Sequence, residues 1–378
     1  MVNRLIIRQQ AVEVVKKYAK LIIGSSASGI YNIGGKKLTR QAPRALIIYY
    51  MRSIPYFISD RLDECPFLNS HSMNWETAEM VRLLNEFGYV VDYLDCYNPF
   101  PKVNWEKYNL IIDERDNLKK CPVLSGQRKI FYATGCHWLF HNLAELSRIS
   151  EFYNRNNMYM IPQRQVQAIE SDEYCDYLTY LGTDFQVNKF SDKPKKIQLN
   201  ISAFIPEYRR KNISKARHQY LWIGGGGLIH KGLDLAIEAF CKLPDSKLYV
   251  VGNVDMEPKF IQWLKSTTEK NDNIIYCGFL DISSNTFTEI ANNCIGVLGP
   301  SCSEGGGGAV CQALHFGLIP LVTRSNTVRA ENLGYILDGN NTLDIIESII
   351  SSIQEIMTLS DQELASKSDA IREFALQF

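Results

Sequence analysis

Residues 299–323, GPSCSEGGGGAVCQALHFGLIPLVT, decide how the chain is read. An apolar run at 294–298 leads into them and predicts a buried strand. A polar loop follows at 300–304, then four consecutive glycines: Gly305, Gly306, Gly307 and Gly308. Ala309, Val310, Ala313 and Leu314 have helical spacing, Gly317 stops that helix, and 319–323 reads as the next strand. A strand–loop–helix–strand unit of this kind builds an open parallel sheet, and such sheets bind ligands at the carboxyl ends of their strands. Glycines let a backbone approach a ligand closely, and a helix start offers free N–H groups to anions. Glu304, at the lip of the loop, is placed to accept hydrogen bonds from a ligand's hydroxyls. The competing reading is a glycine-rich connection that serves packing alone.

A second glycine-rich turn lies upstream. The apolar run 220–223 (YLWI) predicts a strand; Gly224, Gly225, Gly226 and Gly227 follow, then Leu228, Ile229, His230, Lys231 and Gly232, then a helix over 233–243. Strand, glycines and helix make a phosphate-binding arrangement. The dinucleotide fingerprint fails, because the required third glycine falls on Ile229 or His230. The Walker pattern fails too, because His230 precedes Lys231 and Gly232 follows it. Strands are also expected at 247–251, ending at Gly252, and at 273–276, ending at Gly278, Phe279 and Leu280, with a short helix over 286–292.

The first half repeats the alternation more weakly. Strands are expected at 45–50, 89–94, 110–113, 129–133 and 176–181. Met73, Thr77, Met80, Val81, Leu84 and Phe87 make one face of a helix that Gly88 stops. Residues 24–40 read as loop, and 193–217 as an irregular crossing between domains. The fourth strand runs into Thr134-Gly135-Cys136-His137-Trp138, where His137 either faces a ligand or caps the next helix. His137 and His141 stand one helical turn apart, but no further metal ligand is evident. Residues 11–23 have the spacing of an amphipathic helix, packed on the domain or lying on a membrane surface. Ser360 and Glu363 form a capping box that opens a terminal helix.

Composition sets outer bounds. The chain has 378 residues, enough for two domains, and is 46% hydrophobic, enough for substantial cores. Forty-one basic residues balance 41 acidic ones, which argues against a nucleic-acid partner. Ten cysteines without CxxC pairs or a preceding signal peptide point to reduced thiols and a cytoplasmic location. No apolar run has the length that spans a bilayer.

Both glycine-rich stretches resemble the donor site of retaining GT-B glycosyltransferases of the family 4 type (glycosyltransferases group 1). Pro300, Ser301, Glu304, Gly305, Gly317 and Pro320 match that family's donor signature, and Lys231 and Gly232 match its Lys-Gly motif. The resemblance is specific from 220 to 323 and extends to the first half at the level of fold. It implies an α/β protein of GT-B fold, with two doubly wound Rossmann-like domains facing across a cleft. Residues 1–206 would form the acceptor-side domain, with helix 359–378 packing back on it, and 207–358 the nucleotide-sugar domain. The implied reaction moves a sugar from a UDP- or GDP-linked donor to a sugar, glycan or lipid-linked acceptor, with retention and without a metal or cofactor; the chain has no Asp-x-Asp motif. The pathway implied is glycan or polysaccharide biosynthesis, with peripheral membrane contact. Catalytic roles fall on Lys231 at the diphosphate, Glu304 at the sugar hydroxyls, and His137 from the facing domain. Gly226, Gly227, Ser303, Gly305, Gly306, Gly307 and Gly308 would line the donor, Gly278, Phe279 and Leu280 the base, and Gln312 the ribose. Two positions depart from the family. Gln312 stands where a second glutamate is usual, and Gly226 where an arginine is usual. One diphosphate cation is thus missing from its usual place: another basic residue replaces it, activity is reduced, or the site binds without turnover. A non-catalytic nucleotide-sugar-binding protein is the alternative class, and a GT-B epimerase or phosphorylase a third.

Overall fold

The computed structural model describes residues 29–34, 41–97, 102–207, 209–329 and 332–377. The segment 11–23 expected to be helical lies outside them. The strands are β1 (Gly29–Ile33), β2 (Arg44–Tyr49), β3 (Val90–Asp95), β4 (Leu110–Asp113), β5 (Arg128–Ala133), β6 (Tyr177–Tyr180), β7 (Lys195–Gln198), β8 (Gln219–Ile223), β9 (Lys247–Val251), β10 (Ile274–Gly278), β11 (Gly296–Gly299), β12 (Ile319–Val322) and β13 (Tyr335–Ile336). The α-helices are α1 (Ile54–Phe57), α2 (Ser72–Glu86), α3 (Trp138–Asn156), α4 (Asp184–Val187), α5 (Ile213–Ala216), α6 (Leu233–Phe240), α7 (Pro258–Thr268), α8 (Asn285–Asn292), α9 (Gly308–Leu314), α10 (Thr342–Thr358) and α11 (Asp361–Ala375).

Two sheets result, in the orders β1-β3-β2-β4-β5-β6-β7 and β10-β9-β8-β11-β12-β13. Every neighbouring pair of the second sheet is parallel. Numbered from β8, its order is 3-2-1-4-5-6, that of a dinucleotide-binding sheet, and the order reverses between β8 and β11. In the first sheet β3, β2, β4 and β5 pair in parallel. Both sheets are therefore doubly wound, as expected. Strands such as β2 and β11, buried along almost their whole length, read as continuous apolar runs because helices cover both faces.

The chain divides into two compact units. One takes the described residues up to Tyr132 together with Glu170–Leu178; the other takes Ala133–Ile169 and the described residues from Thr179 onward. The first has a core around Ala45, Ile47, Val81, Val91 and Tyr93. The second has a core around Phe152, Trp222, Leu235, Phe240, Phe287, Leu298 and Ile353. Helix α3 belongs to the second unit because its buried face is spent there. Phe152 is fully buried in that core, and Arg155 pairs with Asp234 at 2.6 Å and with Glu238 at 3.2 Å on α6. The terminal helix α11, expected against the first domain, packs in this core instead: Leu364, Ile371 and Ala375 join it, and Ser368 donates to the Gly317 carbonyl at 2.7 Å. Its start is the predicted capping box.

Two expectations fail locally. Residues 24–40 were expected as loop, yet 29–33 form β1, antiparallel to β3. Asn32 takes a positive φ of 59° and the register slips between Ile30 and Ile33, so the strand lacks the alternation that announces one. The 193–217 crossing contains β7 and α5, short elements fixed by their neighbours rather than by local pattern. No described helix is long and apolar enough to cross a membrane.

Candidate functional site

The loops after β8 and β11 leave adjacent strands at the point where the sheet order reverses, and this brings Lys231 to Glu304. The Lys231 ammonium forms an ion pair and hydrogen bond with Oε1 of Glu304. Their side chains are only 17% and 14% exposed, so solvent screens the pair weakly. Backbone bonds hold each partner in place. Lys231 N donates to the Gly227 carbonyl at 2.8 Å, and Glu304 N to the Ser325 carbonyl at 2.9 Å. The Glu304 carbonyl accepts from Thr327 Oγ1 at 3.2 Å and Cys136 Sγ at 3.0 Å. His230 stitches the two loops together: its carbonyl accepts from Cys302 N at 2.9 Å, and its Nε2 donates to the Ser303 carbonyl at 2.7 Å.

Burial works against a charged Glu304, but Lys231, with His230 and Arg164 nearby, outweighs it and holds the carboxyl down at about 2. His230 is held down to about 3, chiefly by burial. Its Nδ1 is buried with no partner among the described residues, so a second ring proton would have no acceptor. His141 lies beside it, ring centroids 4.7 Å apart, and burial lowers its pKa as well. Its Nε2 donates to the Arg164 carbonyl at 2.7 Å, which leaves Nδ1 to accept from Ser303 Oγ at 3.1 Å. Two neutral histidines thus back a charged Lys–Glu pair.

A small crevice opens at this pair, lined by Lys231, Glu304, Gly299, Ser301, Gly307, Gly308 and Asn326, with apolar walls from Trp222, Leu298 and Val310. Of the residues expected at the site, Lys231, Glu304, Gly307 and Gly308 meet here.

The others are placed differently. Gly305 and Gly306 are buried packing positions: an added Cβ at Gly305 would lie 1.8 Å from the Thr134 carbonyl oxygen, and one at Gly306 2.9 Å from Leu181 Cβ. Ser303 is buried, its hydroxyl bonded to His141 and its carbonyl to His230. Gly227 does not hold its N–H open for an anion, because that N–H and the Leu228 N–H donate to Glu257 Oε1 at 2.7 and 3.0 Å. Gly226 has open space where a side chain would stand. Gln312, expected at the ribose, is buried, and both ends of its amide are used by one residue: Oε1 accepts from Phe204 N at 2.8 Å and Nε2 donates to Phe204 O at 2.7 Å. An amide matches a peptide group in this way and a carboxylate does not, which gives a physical reason for glutamine here. His137 is the N-cap of α3, its Nδ1 accepting from Leu139 N at 3.4 Å, which is the capping alternative. Gly278, at the end of β10, accepts from Gly252 N at 2.9 Å, with Phe279 exposed and Leu280 half-buried beyond it; none of the three lines the pocket.

The sequence reading missed several participants. Asn326 is buried at the pocket with its Oδ1 unpaired among the described residues, so a ligand hydroxyl could donate to it. Arg148 is buried and donates to the Pro300 carbonyl at 2.9 Å, bracing the Glu304 loop from α3. Glu257, His141 and Arg164 come from segments with no motif. Only the glycine run before Lys231 signalled that something foreign would approach there.

No curated protein matches the sequence. Among solved structures, sucrose-phosphate synthase from Thermosynechococcus elongatus aligns over 89% of this chain and 97% of its own, with 13% identity and a TM-score of 0.52. The Anabaena protein HepE, in complex with UDP and glucose, aligns over 78% and 84%, with 11% identity and a TM-score of 0.50. The pneumococcal O-GlcNAc transferase GtfA aligns over 71% of this chain with 15% identity and a TM-score of 0.48; the chain spans about half of that protein, 53% of its length. Identities this low speak for the fold alone. Residues 204–364, which hold both Lys231 and Glu304, match the family model of the glycosyl transferases group 1, and the chain has the fold of GT-B glycosyltransferases.

Proposed function

We propose that the protein is a glycosyltransferase that takes a sugar from a nucleoside-diphosphate donor, UDP- or GDP-linked, and passes it to a sugar, glycan or lipid-linked acceptor. The observation that carries this reading is the Lys231–Glu304 pair at the switch point of the second sheet, inside the segment that matches the family. A doubly wound sheet collects ligands at that point. On donor binding the pair opens. Lys231 turns to the diphosphate and stabilises the charge that develops as the leaving group departs. Glu304, held ionised by Lys231 before the donor arrives, accepts from the sugar hydroxyls, and Asn326 Oδ1 takes a further hydroxyl. The acceptor hydroxyl bonds to the sugar's anomeric carbon as the bond to the diphosphate breaks, the leaving phosphate takes the hydroxyl's proton, the configuration is retained as in the resembled group, and Lys231 with backbone N–H groups carries the charge in place of a metal. Residues 207–358 form the donor domain in this reading; the family match, which begins at 204, supports that boundary. Residues 1–206 take the acceptor, with His137 oriented toward it and Phe279 against the base. The setting is cytoplasmic glycan assembly, with the acceptor presented at a membrane surface.

A second reading, nucleotide-sugar binding without turnover, draws on Gln312, whose amide is committed to Phe204. Titration with UDP- and GDP-sugars in EDTA, followed by mass spectrometry of the products, separates the two. Release of nucleoside diphosphate under those conditions supports transfer or hydrolysis; tight binding without release supports the binding protein; no binding of any nucleotide sugar removes both.

A further inference from the structure

The site as described is short of positive charge. Lys231 is neutralised by Glu304, and the N–H groups of Gly227 and Leu228 are spent on the Glu257 carboxylate. An anionic ligand therefore finds neither a free lysine nor an open amide nest at the β8 loop. A further cation stands nearby, and its charge also acts on Glu304. The Arg164 side chain is exposed, and among the described residues its guanidinium has no hydrogen-bond or ion-pair partner.

Its backbone, by contrast, is fixed. Arg164 N donates to Glu145 Oε1 at 2.9 Å, as does Gln163 N, and the Arg164 carbonyl accepts from His141 Nε2 at 2.7 Å. Two buried side chains of α3 thus pin this residue from both sides. Its stem runs across the turn that carries Lys231. A Cβ at Gly227 would lie 2.4 Å from Arg164 Cγ and 2.8 Å from Cδ, and Gly227 has a φ of +82°. Only glycine both adopts that backbone and leaves this path for the arginine. The Gly227 carbonyl is the group that holds Lys231 N, so Arg164 and Lys231 flank a single turn.

We propose that Arg164 is the second cation of the diphosphate subsite, reaching over Gly227 to the phosphates beside Lys231. The assignment rests on the donor reading above and extends it to a residue outside any motif. A guanidinium held by a fixed backbone, with its head free, suits bidentate contact with phosphate oxygens. It takes up the charge that position 226 does not carry.

The test is calorimetric titration of the full chain and its Arg164→Ala and Arg164→Lys variants with UDP and with uridine, and in parallel with GDP and guanosine. Thermal unfolding serves as the control for folding. The expected result is a Kd for the diphosphate raised about tenfold or more in Arg164→Ala, unchanged nucleoside binding, partial recovery in Arg164→Lys, and a weaker dependence of the Kd on salt. An unchanged diphosphate Kd in Arg164→Ala overturns the assignment. So does an equal loss for nucleoside and diphosphate, which makes Arg164 structural. If the wild-type chain binds neither UDP nor GDP, the donor reading itself has failed and the assignment falls with it.

Discussion

The two glycine-rich loops of the second sheet look alike in sequence and differ in what their glycines do. In the loop after β11, Gly305 and Gly306 are packed tight against Thr134 and Leu181, and the run lets Glu304 be held by neighbours on both sides. In the loop after β8, Gly225 and Gly226 face open space, and Gly227 leaves room for a side chain arriving from another segment. One run exists for close backbone approach, the other for passage. Glycine content alone therefore did not show where a ligand approaches; the neighbours of each glycine did.

The largest effect that would break this contrast is on stability. Gly305→Ala forces a methyl group into the Thr134 carbonyl and should cost about 3 kcal/mol, whereas Gly226→Ala should stay within about 0.5 kcal/mol of wild type. Urea unfolding of both variants checks the pair, and equal costs would erase the distinction between the loops.

Next in size is the effect on binding. Lys231→Ala should raise the Kd for UDP or GDP by about 10- to 100-fold, the worth of a lost charge-assisted bond. Glu304→Gln should abolish most transfer while diphosphate affinity holds or tightens, because Lys231 loses its competing partner. A diphosphate Kd worsened tenfold by Glu304→Gln would show that the pair acts as one structural unit.

A smaller effect is expected at Gln312. Gln312→Glu sets a carboxylate against the Phe204 carbonyl and removes the N–H that it accepted, for a loss of about 1–2 kcal/mol in urea unfolding. Were Gln312 a ribose ligand instead, the same change would leave stability alone and strengthen nucleotide binding.

A pH dependence isolates the histidines behind the pair. His230 titrates near 6.5 when unfolded and near 3 when folded, so between those values the unfolded chain binds the extra proton. Stability should fall as pH drops through that window. Glu304 adds acid sensitivity only below about 4.5, where its stabilisation is lost as pH falls toward 2. The thermal midpoint of His230→Gln should therefore be flatter than wild type between pH 6.5 and 4.5, and an identical slope in the two proteins would remove His230 from the account.

Much of the architecture was legible because it is local. Buried parallel strands such as 319–322 are continuous apolar runs, and the capping box at Ser360 announces its helix. The edge strand β1 was not legible, because Asn32 breaks its pattern and only pairing with β3 defines it. At the site, the sequence by itself determined that Lys231 and Glu304 each end a strand in a glycine-rich loop, since strand, loop and glycines are contiguous in the chain. It did not determine that the two meet, which follows from β8 and β11 lying side by side in the sheet. Nor did it determine the uses of His141, Arg164, Glu257 and Gln312. Those depend on α3 and the segments around residues 204 and 257 packing onto the same loops, and contacts between distant segments leave no periodic trace in sequence. Tertiary packing turned the ribose candidate into a clamp on Phe204 and brought a guanidinium to a place where the motif has none.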